Sequence, residues 1–273
     1  MIITNIKGGL GNQMFQYACG RTLALKNQDK LFLVRHEHTK DILRPFSLAN
    51  FNITAGTMSA KDVPIFKKLL SKVTQKLSGN YHVGFDPTIL TYKGNVYLDG
   101  YFQSEKYFHD IADTIRNDFT LRTPFIGNLA EISERIQHDE HAVSIHIRRG
   151  DYTNHLDFGG IATKEYYEQA TARMRELHPH ARFYIFSDDI AWCQKKLPFG
   201  SDAVFVSNAK HADYEELILM SQCKHHINAN ASFSWWGAWL GSNMQKIVIA
   251  PKRWSNLHEN WYRDIVPVSW IRM

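Results

Sequence analysis

Short apolar runs alternate with amphipathic stretches from residue 142 onward, and this alternation constrains the fold more than any other feature of the sequence. Ala142–Ile147, Arg182–Ser187 and the runs 203–206, 225–228 and 246–250 each read as a short, mostly buried strand. Helical patterns at Lys164–Leu177, 214–222 and 235–243 lie between several of them. Strands that alternate with helices build parallel sheets, so this half of the chain is expected to be α/β. The first half follows the same logic less regularly. A strand at 2–6, a glycine-rich turn, a helix over 13–27 and a strand at 31–34 come first. The stretch 39–94 is irregular, with a helical piece around 63–77. A strand at 95–98 then runs into DGYFQSEKYF, and amphipathic patterns cover 109–119 and 129–139. The two blocks meet near 122–127. They predict two Rossmann-like domains, 1–125 and 126–273, facing a central cleft. The sequence contains no internal repeat and no low-complexity segment.

Composition narrows the class. With 273 residues, 44% of them hydrophobic, the chain can bury a core for one large or two modest domains. Its net charge of +5, from 32 Lys and Arg against 27 Asp and Glu, suits an anionic ligand or an anionic membrane surface. It lacks the dense basic stripe of a nucleic-acid binder. Cys19, Cys193 and Cys223 are odd in number and form no CxxC pair, which points to a reducing compartment. The amino terminus has no charged leader pattern, and no apolar run approaches the roughly 20 residues needed to span a bilayer. Asn-x-Ser/Thr sites at Asn52 and Asn230 are read as incidental. The expected location is cytoplasmic, with peripheral contact at the inner membrane face compatible with the charge.

Polar residues concentrate where strands end. SIHI runs into Arg148, Arg149, Gly150 and Asp151; FYIF into Ser187, Asp188 and Asp189; and HHIN into Ala229, Asn230, Ala231 and Ser232. Ligands of open parallel sheets bind outside the carboxyl ends of the strands. Any one cluster has a bland explanation, such as a surface ion pair or a core histidine. Three together mark a site. Strand alternation puts His146 and Arg148 on one side and Arg149 on the other, paired elsewhere, with Asp151 as the expected partner. The planar Arg148 fork suits a diphosphate. The carboxylates of Asp188 and Asp189 suit a base or a ribose, whereas Ser187 or Asp188 would equally cap the helix that follows. Ser232 and Ser234 precede a helix whose first N–H groups favour an anion. At least two of Trp235, Trp236 and Trp239 are expected to be core. In the first turn, Gly8, Gly9 and Gly11 allow close backbone approach, but Met14 replaces the third glycine of a dinucleotide motif and Arg35 follows the next strand. NAD binding is therefore rejected. Asn12 and Gln13 place amides at the helix start, either to cap it or to face a sugar and its phosphate.

These motifs, GGLGNQMFQYA, GYFQSEKYF, HIRRGDY, FSDD and NASFSWWGAWLG, resemble in order and along almost the whole chain the α-1,2-fucosyltransferases of glycosyltransferase family 11. The resemblance implies a GT-B fold with an acceptor-side N-terminal domain, a GDP-fucose-binding C-terminal domain and a last helix that packs back on the first. It implies GDP-L-fucose as co-substrate, a terminal galactoside as acceptor and inversion at the fucose anomeric carbon. His146, Arg148 and Asp151 fall on the HxRRxD motif that serves the donor nucleotide and its β-phosphate. Ser232, Phe233, Ser234 and Trp235 match a donor-phosphate segment. Asn12 matches an asparagine that lies near the reaction centre in protein O-fucosyltransferases. Ala231 departs from the Ser or Thr of many relatives.

The leaving GDP develops negative charge that must be neutralised. The sequence has no Asp-x-Asp triplet, and the nearest approach to a metal spacing is HEH at His36 to His38, so no metal is expected. Arg148 and the helix start at Ser234 would supply the stabilisation. As general base, Asp151, His155 and Asp157 all follow the strand end, and the leaving phosphate itself is a further alternative. The expected partners are GDP-fucose and a galactose-terminated oligosaccharide or lipid-linked glycan, with no nucleic acid. The rival reading is a non-catalytic nucleotide-sugar or carbohydrate-binding protein, which would have no use for groups converging on a leaving phosphate.

Overall fold

A computed structural model describes residues 1–35, 45–63, 82–197, 199–200 and 203–273. His36 to His38 and most of the helical piece expected at 63–77 lie outside the described residues. The chain divides into two compact units, one of Met1–Thr123 with Trp261–Pro267, the other of Pro124–Asn260 with Val268–Met273. The last helix expected to return to the first unit is instead a short 3₁₀ turn, Glu259–Tyr262.

In the first unit, β1 (Ile2–Asn5), β2 (Leu31–Arg35), β3 (Gly56–Ser59) and β4 (Val96–Leu98) form a parallel sheet in the order β3-β2-β1-β4. Helix α1 (Leu10–Lys26) connects β1 to β2 and is buried along most of its length. Only a central helix tolerates so little amphipathicity. A second helix, α2 (Ala112–Asp118), is tied to it by Asp118, whose Oδ2 accepts from the Tyr17 hydroxyl at 2.6 Å and from Arg21 Nε at 2.9 Å.

In the second unit the elements run α3 (Asn128–His138), β5 (Ala142–Ile147), α4 (Lys164–Leu177), β6 (Arg182–Ser187), α5 (Ile190–Lys196), β7 (Val204–Phe205), α6 (Asp213–Ser221), β8 (His225–Ile227), α7 (Ser232–Leu240), β9 (Val248–Ala250) and β10 (Ile271–Arg272). All six strands are parallel, in the order β10-β9-β8-β5-β6-β7. Every residue of β5 is buried, and its two faces feed different cores. Val143, Ile145 and Ile147 pack with Tyr166, Tyr167, Ala170 and Met174 of α4. Ala142 joins Tyr184 and Phe186 of β6, Ile136 of α3 and Leu219 and Met220 of α6. Each such aliphatic side chain contributes about 1.5–3 kcal/mol by burial, which locks the strand's phase. Ser144 and His226 share the second face and hydrogen-bond at 2.8 Å. The three cysteines are buried free thiols, and no helix among the described residues is long and apolar enough to cross a membrane.

Gly20 shows how closely α1 lies on its sheet. A Cβ there would collide with Thr4 of β1 and approach Leu31 Cδ1 of β2 to 2.9 Å. Alanine has the higher helix propensity by about 1 kcal/mol, but overpacking at a buried contact costs about 1–3 kcal/mol. Gly20→Ala is therefore expected to lower the urea midpoint, and an unchanged or raised midpoint would show that the helix can move away freely.

Candidate active site

Parallel strands β5 and β6 run in register until Ile147 lies beside Ser187, so Arg148 and Asp188 emerge together at the carboxyl edge. Arg148 donates from Nε and Nη2 to Asp151 Oδ1, at 3.0 and 2.7 Å, and its Nη1 lies 3.0 Å from Asp188 Oδ2. A guanidinium has five N–H bonds. These contacts engage at most three, leaving one on each terminal nitrogen to serve as a two-pronged donor. The group also lies 5.6 Å from the centre of the Tyr152 ring.

Arg149 belongs to the opposite face. Its guanidinium stacks 3.8 Å over Trp192, which packs against the Val143, Ile145 and Ile147 core. The expected Arg149–Asp151 pair is not formed: Arg149 Nε bonds Asp189 Oδ2 at 3.1 Å, and Asp151 belongs to Arg148. The reason is reach. Asp151 stands three residues on, in a 3₁₀ turn over Gly150–Tyr152 that folds back toward Arg148. The Arg149 backbone N–H donates to Asp188 Oδ1 at 2.8 Å, which ties the RRGD turn to the SDD turn. Gly150 is required in this crossing, since a Cβ would stand 2.7 Å from Asp188 Oδ2.

Helix α5 is capped by Asp189, not by Ser187 or Asp188: Asp189 Oδ1 accepts from Trp192 N at 3.1 Å. Ser187 is used locally as well, its Oγ accepting from Asp189 N and its N–H donating to Ser207 Oγ. Glu216 supports Ser207 from α6, accepting its hydroxyl at 2.7 Å and the Asn208 N–H at 3.2 Å. Burial raises the Glu216 carboxyl to about 7.

His146 lies under this edge with its ring 5.3 Å from Phe233 and no hydrogen-bond partner for Nδ1. Burial, reinforced by the Arg148 charge, pushes it down to about 3, so the ring is neutral. Helix α7 starts at Ser232, three residues earlier than the sequence pattern indicated, because its N-cap residue Ala231 has no capping side chain to announce it. Ser232 and Phe233 are partly exposed in its first turn, where backbone N–H groups and the helix dipole favour an anion. Ser234 and Trp235 are corrections to the expected donor set. Ser234 is fully buried and its hydroxyl donates to the carbonyls of Ala231 and Ala229, at 3.1 and 3.3 Å. Trp235 is fully buried among Trp236, Trp239 and Trp270, so its side chain packs and cannot touch a ligand. All three tryptophans of the motif are core.

All three base candidates already have hydrogen-bond partners, and they differ in what those partners leave accessible. His155 Nδ1 accepts from the N–H groups of Asp157 and Phe158, at 3.1 and 3.3 Å. Asp157 is buried, and its Oδ1 takes the Ser255 hydroxyl and the Leu257 N–H. Burial raises its carboxyl, but these hydrogen bonds prevail and hold it below the usual carboxylate range. Asp151, with 41% of its side chain exposed, is the accessible carboxylate.

The first unit carries a second polar cluster at the ends of β1 and β4. Gly8 turns in the left-handed region at φ +79, and Gly9 precedes α1 without a side-chain cap. Asn12 and Gln13 lie inside the first helical turn and so do not cap it. Gln13 is buried, donating to the carbonyls of Gly8 and Pro45, at 3.0 and 2.8 Å, and accepting from Ser47 N at 3.2 Å. It braces the turn and does not face a sugar, whereas Asn12 is half-buried at the turn's surface with Oδ1 accepting from Gln103 Nε2 at 2.7 Å. Asp99, at the end of β4, accepts from Lys7 Nζ at 2.8 Å and Asn5 Nδ2 at 2.9 Å. Sequence reasoning missed Lys7, Asp99 and Gln103. The signal lay in DGYFQ, a strand running directly into polar groups as at β5. Among the described residues no group of three or more His, Cys, Asp or Glu could hold a metal ion.

The sequence model of Glycosyl transferase family 11 matches residues 1–273. The chain belongs to that family. This glycosyltransferase is 33% identical to an α-1,2-colitosyltransferase of Escherichia coli, over all of this chain and 99% of the relative. It is 28% identical to the O-antigen biosynthesis glycosyltransferase WbnK of E. coli, over 98% and 99%. A galactoside α-(1,2)-fucosyltransferase 1 of Ateles belzebuth is 27% identical, over 85% of this chain and 63% of the relative. The fold is of the GT-B type, as in the fucosyltransferase NodZ from Bradyrhizobium, with TM-score 0.51 and 12% identity over 87% of this chain and 92% of that one.

The two arginines of this glycosyltransferase predict opposite phenotypes. Arg148→Lys keeps charge but loses the fork, so turnover should fall on the order of 10²–10³ with little change in melting temperature. Arg149→Lys loses its stack on Trp192, worth about 0.5–2 kcal/mol, so stability should fall with turnover nearly kept. A folded but inactive Arg149→Lys beside an active Arg148→Lys would reverse the assignment.

Stability should also fall in acid. Burial holds His146 near 3 and His225 near 4, and pushes His226 well below its ordinary value, so the folded state excludes protons that the unfolded state binds below its own pKa of about 6.5. Glu216 acts oppositely: its raised pKa contributes stability that is full below about 4.5 and lost as pH rises through about 7. These four groups leave the unfolded state about two protons ahead over the window between about 4.5 and 6.5, or roughly 3 kcal/mol per pH unit. The urea midpoint should therefore drop clearly from about pH 7 to about pH 5.5; a flat profile would mean that these histidines titrate normally in the fold.

Proposed function

We propose that this chain is an inverting galactoside α-1,2-fucosyltransferase, which moves L-fucose from GDP-β-L-fucose to the 2-OH of a terminal galactoside in surface-glycan or O-antigen assembly. The observation that carries the donor side is the Arg148 fork, oriented by Asp151 and Asp188 with an N–H on each terminal nitrogen left to donate. In this reading the C-terminal unit binds GDP-fucose and the N-terminal unit holds the acceptor and presents Asn12 to the fucose. The galactoside fucosyltransferase and O-antigen relatives support the acceptor class and the pathway stage.

The anomeric carbon–oxygen bond breaks with its electron pair going to the β-phosphate, while the acceptor O2 forms the new bond from the opposite face. Arg148 and the first turn of α7 meet the charge developing on GDP, in positions fixed before the reaction. The hydroxyl proton passes to Asp151. A transition state with oxocarbenium character needs little help from a base, and Asp151 is the carboxylate exposed at this edge. His146, neutral beside Arg148, adds no repulsion to it. No metal has a role in this scheme, in which cationic and dipolar groups stand where a divalent ion would. The net charge of +5 supports peripheral contact with an anionic inner leaflet when the acceptor is lipid-linked.

The donor sugar has a second reading, because the 33% identical relative is a colitosyltransferase. Both readings are tested by one panel: GDP-fucose and GDP-colitose, each with lactose and galactose-terminated oligosaccharides, with and without EDTA. Transfer of fucose to O2, unaffected by EDTA, is the expected result. Preference for GDP-colitose would move the assignment to the second donor, and activity lost to EDTA and restored by Mn²⁺ would overturn the electrostatic scheme.

A further inference from the structure

Gln103 lies in the GYFQ motif just beyond β4, far in sequence from the glycine-rich turn, yet its side chain ends on Asn12. The contact is a 2.7 Å hydrogen bond from Gln103 Nε2 to Asn12 Oδ1. Gln103 is only 6% exposed, and its Oε1 has no hydrogen-bond partner. The direction of the bond matters, because an amide can point either way. The reverse pairing would leave both N–H groups of the buried Gln103 amide without an acceptor, whereas the observed pairing gives one of them a partner. Orphaned buried donors are the costlier case. Gln103 therefore holds the Asn12 carbonyl and turns its Nδ2 the other way.

On that other side stands Gly8. A Cβ on Gly8 would be 2.7 Å from Asn12 Nδ2, so the glycine makes the space that the amide nitrogen fills. Gly8 also has the positive φ of +79 that disfavours other residues there. The backbone around Gln103 is built to aim it: Phe102, immediately before, has φ +51, with its N–H donating to His82 O at 2.7 Å, and the Gln103 N–H donates to Val83 O at 2.6 Å. A non-glycine residue at positive φ persists only where its surroundings over-determine it.

We infer that Gln103 is a positioning residue for the transfer reaction: it fixes the Asn12 side-chain amide so that Asn12 offers N–H donors, not its carbonyl oxygen, to the sugar. A donor at that place can hold a ring or hydroxyl oxygen of the transferred sugar; a carbonyl would repel it. The inference rests on the proposed role of Asn12 at the fucose.

The test uses Gln103→Leu, Gln103→Glu, Asn12→Ala and the Asn12→Ala/Gln103→Leu double variant, with kcat, donor KM, GDP affinity and melting temperature measured for each. Gln103→Leu cannot donate and should lower kcat roughly tenfold or more, the effect of losing one donor's orientation, with GDP affinity unchanged. Adding it to Asn12→Ala should cost nothing further, since the two act as one unit. Gln103→Glu carries the distinctive signature. Its carboxylate cannot donate, but its protonated carboxyl can. Burial raises the pKa of such a group, so kcat should recover relative to wild type as the pH falls from about 8 to about 6. A side chain that served only packing would recover only in step with its melting temperature, so kcat is read at a temperature where the variant stays folded at every pH. If Asn12→Ala loses turnover while folded Gln103→Leu does not, or if the two losses multiply in the double variant, the positioning role is wrong. If Asn12→Ala keeps wild-type turnover, the reading of Asn12 falls as well, and the inference with it. Should Gln103→Leu melt early, the pH profile of Gln103→Glu decides alone: a ratio to wild type that stays flat would overturn the proposal.

Discussion

Arg148 is held by carboxylates from two directions, and much of the C-terminal unit serves that contact. A free arginine has many rotamers to lose, and a fork that must find its geometry during a reaction stabilises the transition state poorly. Asp151 folds back from the following turn, while Asp188 arrives from the neighbouring strand. The second contact exists only because β5 and β6 run in register to their last residues. Register in turn depends on burial of both strand faces, each against its own core. A slip of one residue would put Arg149 in the place of Arg148 and drive Ile147 into the polar side. The electrostatics of the site thus rest on hydrophobic packing some residues away.

The two units solve one problem twice. Each runs a parallel strand into a turn where polar groups meet at a carboxyl edge, and each uses a glycine where a neighbour must approach closely. Gly150 admits the Asp188 carboxylate, and Gly8 admits the Asn12 amide. In both places the side chain at the surface is oriented by one brought from a distant part of the chain. Asp188 does this for Arg148, and Gln103 for Asn12.

That distinction explains what was legible in the sequence. The limits of β5, β6 and α4 follow from apolar period alone, and the structure reproduces them. The faces of Arg148 and Arg149 also follow, because strand alternation is geometric. Their partners do not. Asp189 takes the Arg149 pairing expected of Asp151, and Asp151 turns to Arg148, because a pairing depends on how two turns fold over one another. The short edge strands β3 and β10 carry no strand signal, because GTMS and IR lack an apolar pattern and are recruited by neighbours. Helix α7 begins before its sequence pattern because no Ser or Asp caps it. Trp235 and Ser234 looked like ligand groups since they border a phosphate-type helix start, yet both point inward, as the first apolar turn of a buried helix must.

Arg148, fixed by Asp151 and Asp188, is proposed to clamp the terminal phosphate of the donor nucleotide. Calorimetric titration of GDP and GMP into the wild type and Arg148→Lys tests it most directly, since the two nucleotides differ only in that phosphate. Wild type should bind GDP at least about tenfold more tightly than GMP, about 1.4 kcal/mol, and the preference should shrink to a few-fold in the folded lysine variant. An equal GDP-to-GMP ratio in both proteins would place the β-phosphate elsewhere and contradict the clamp.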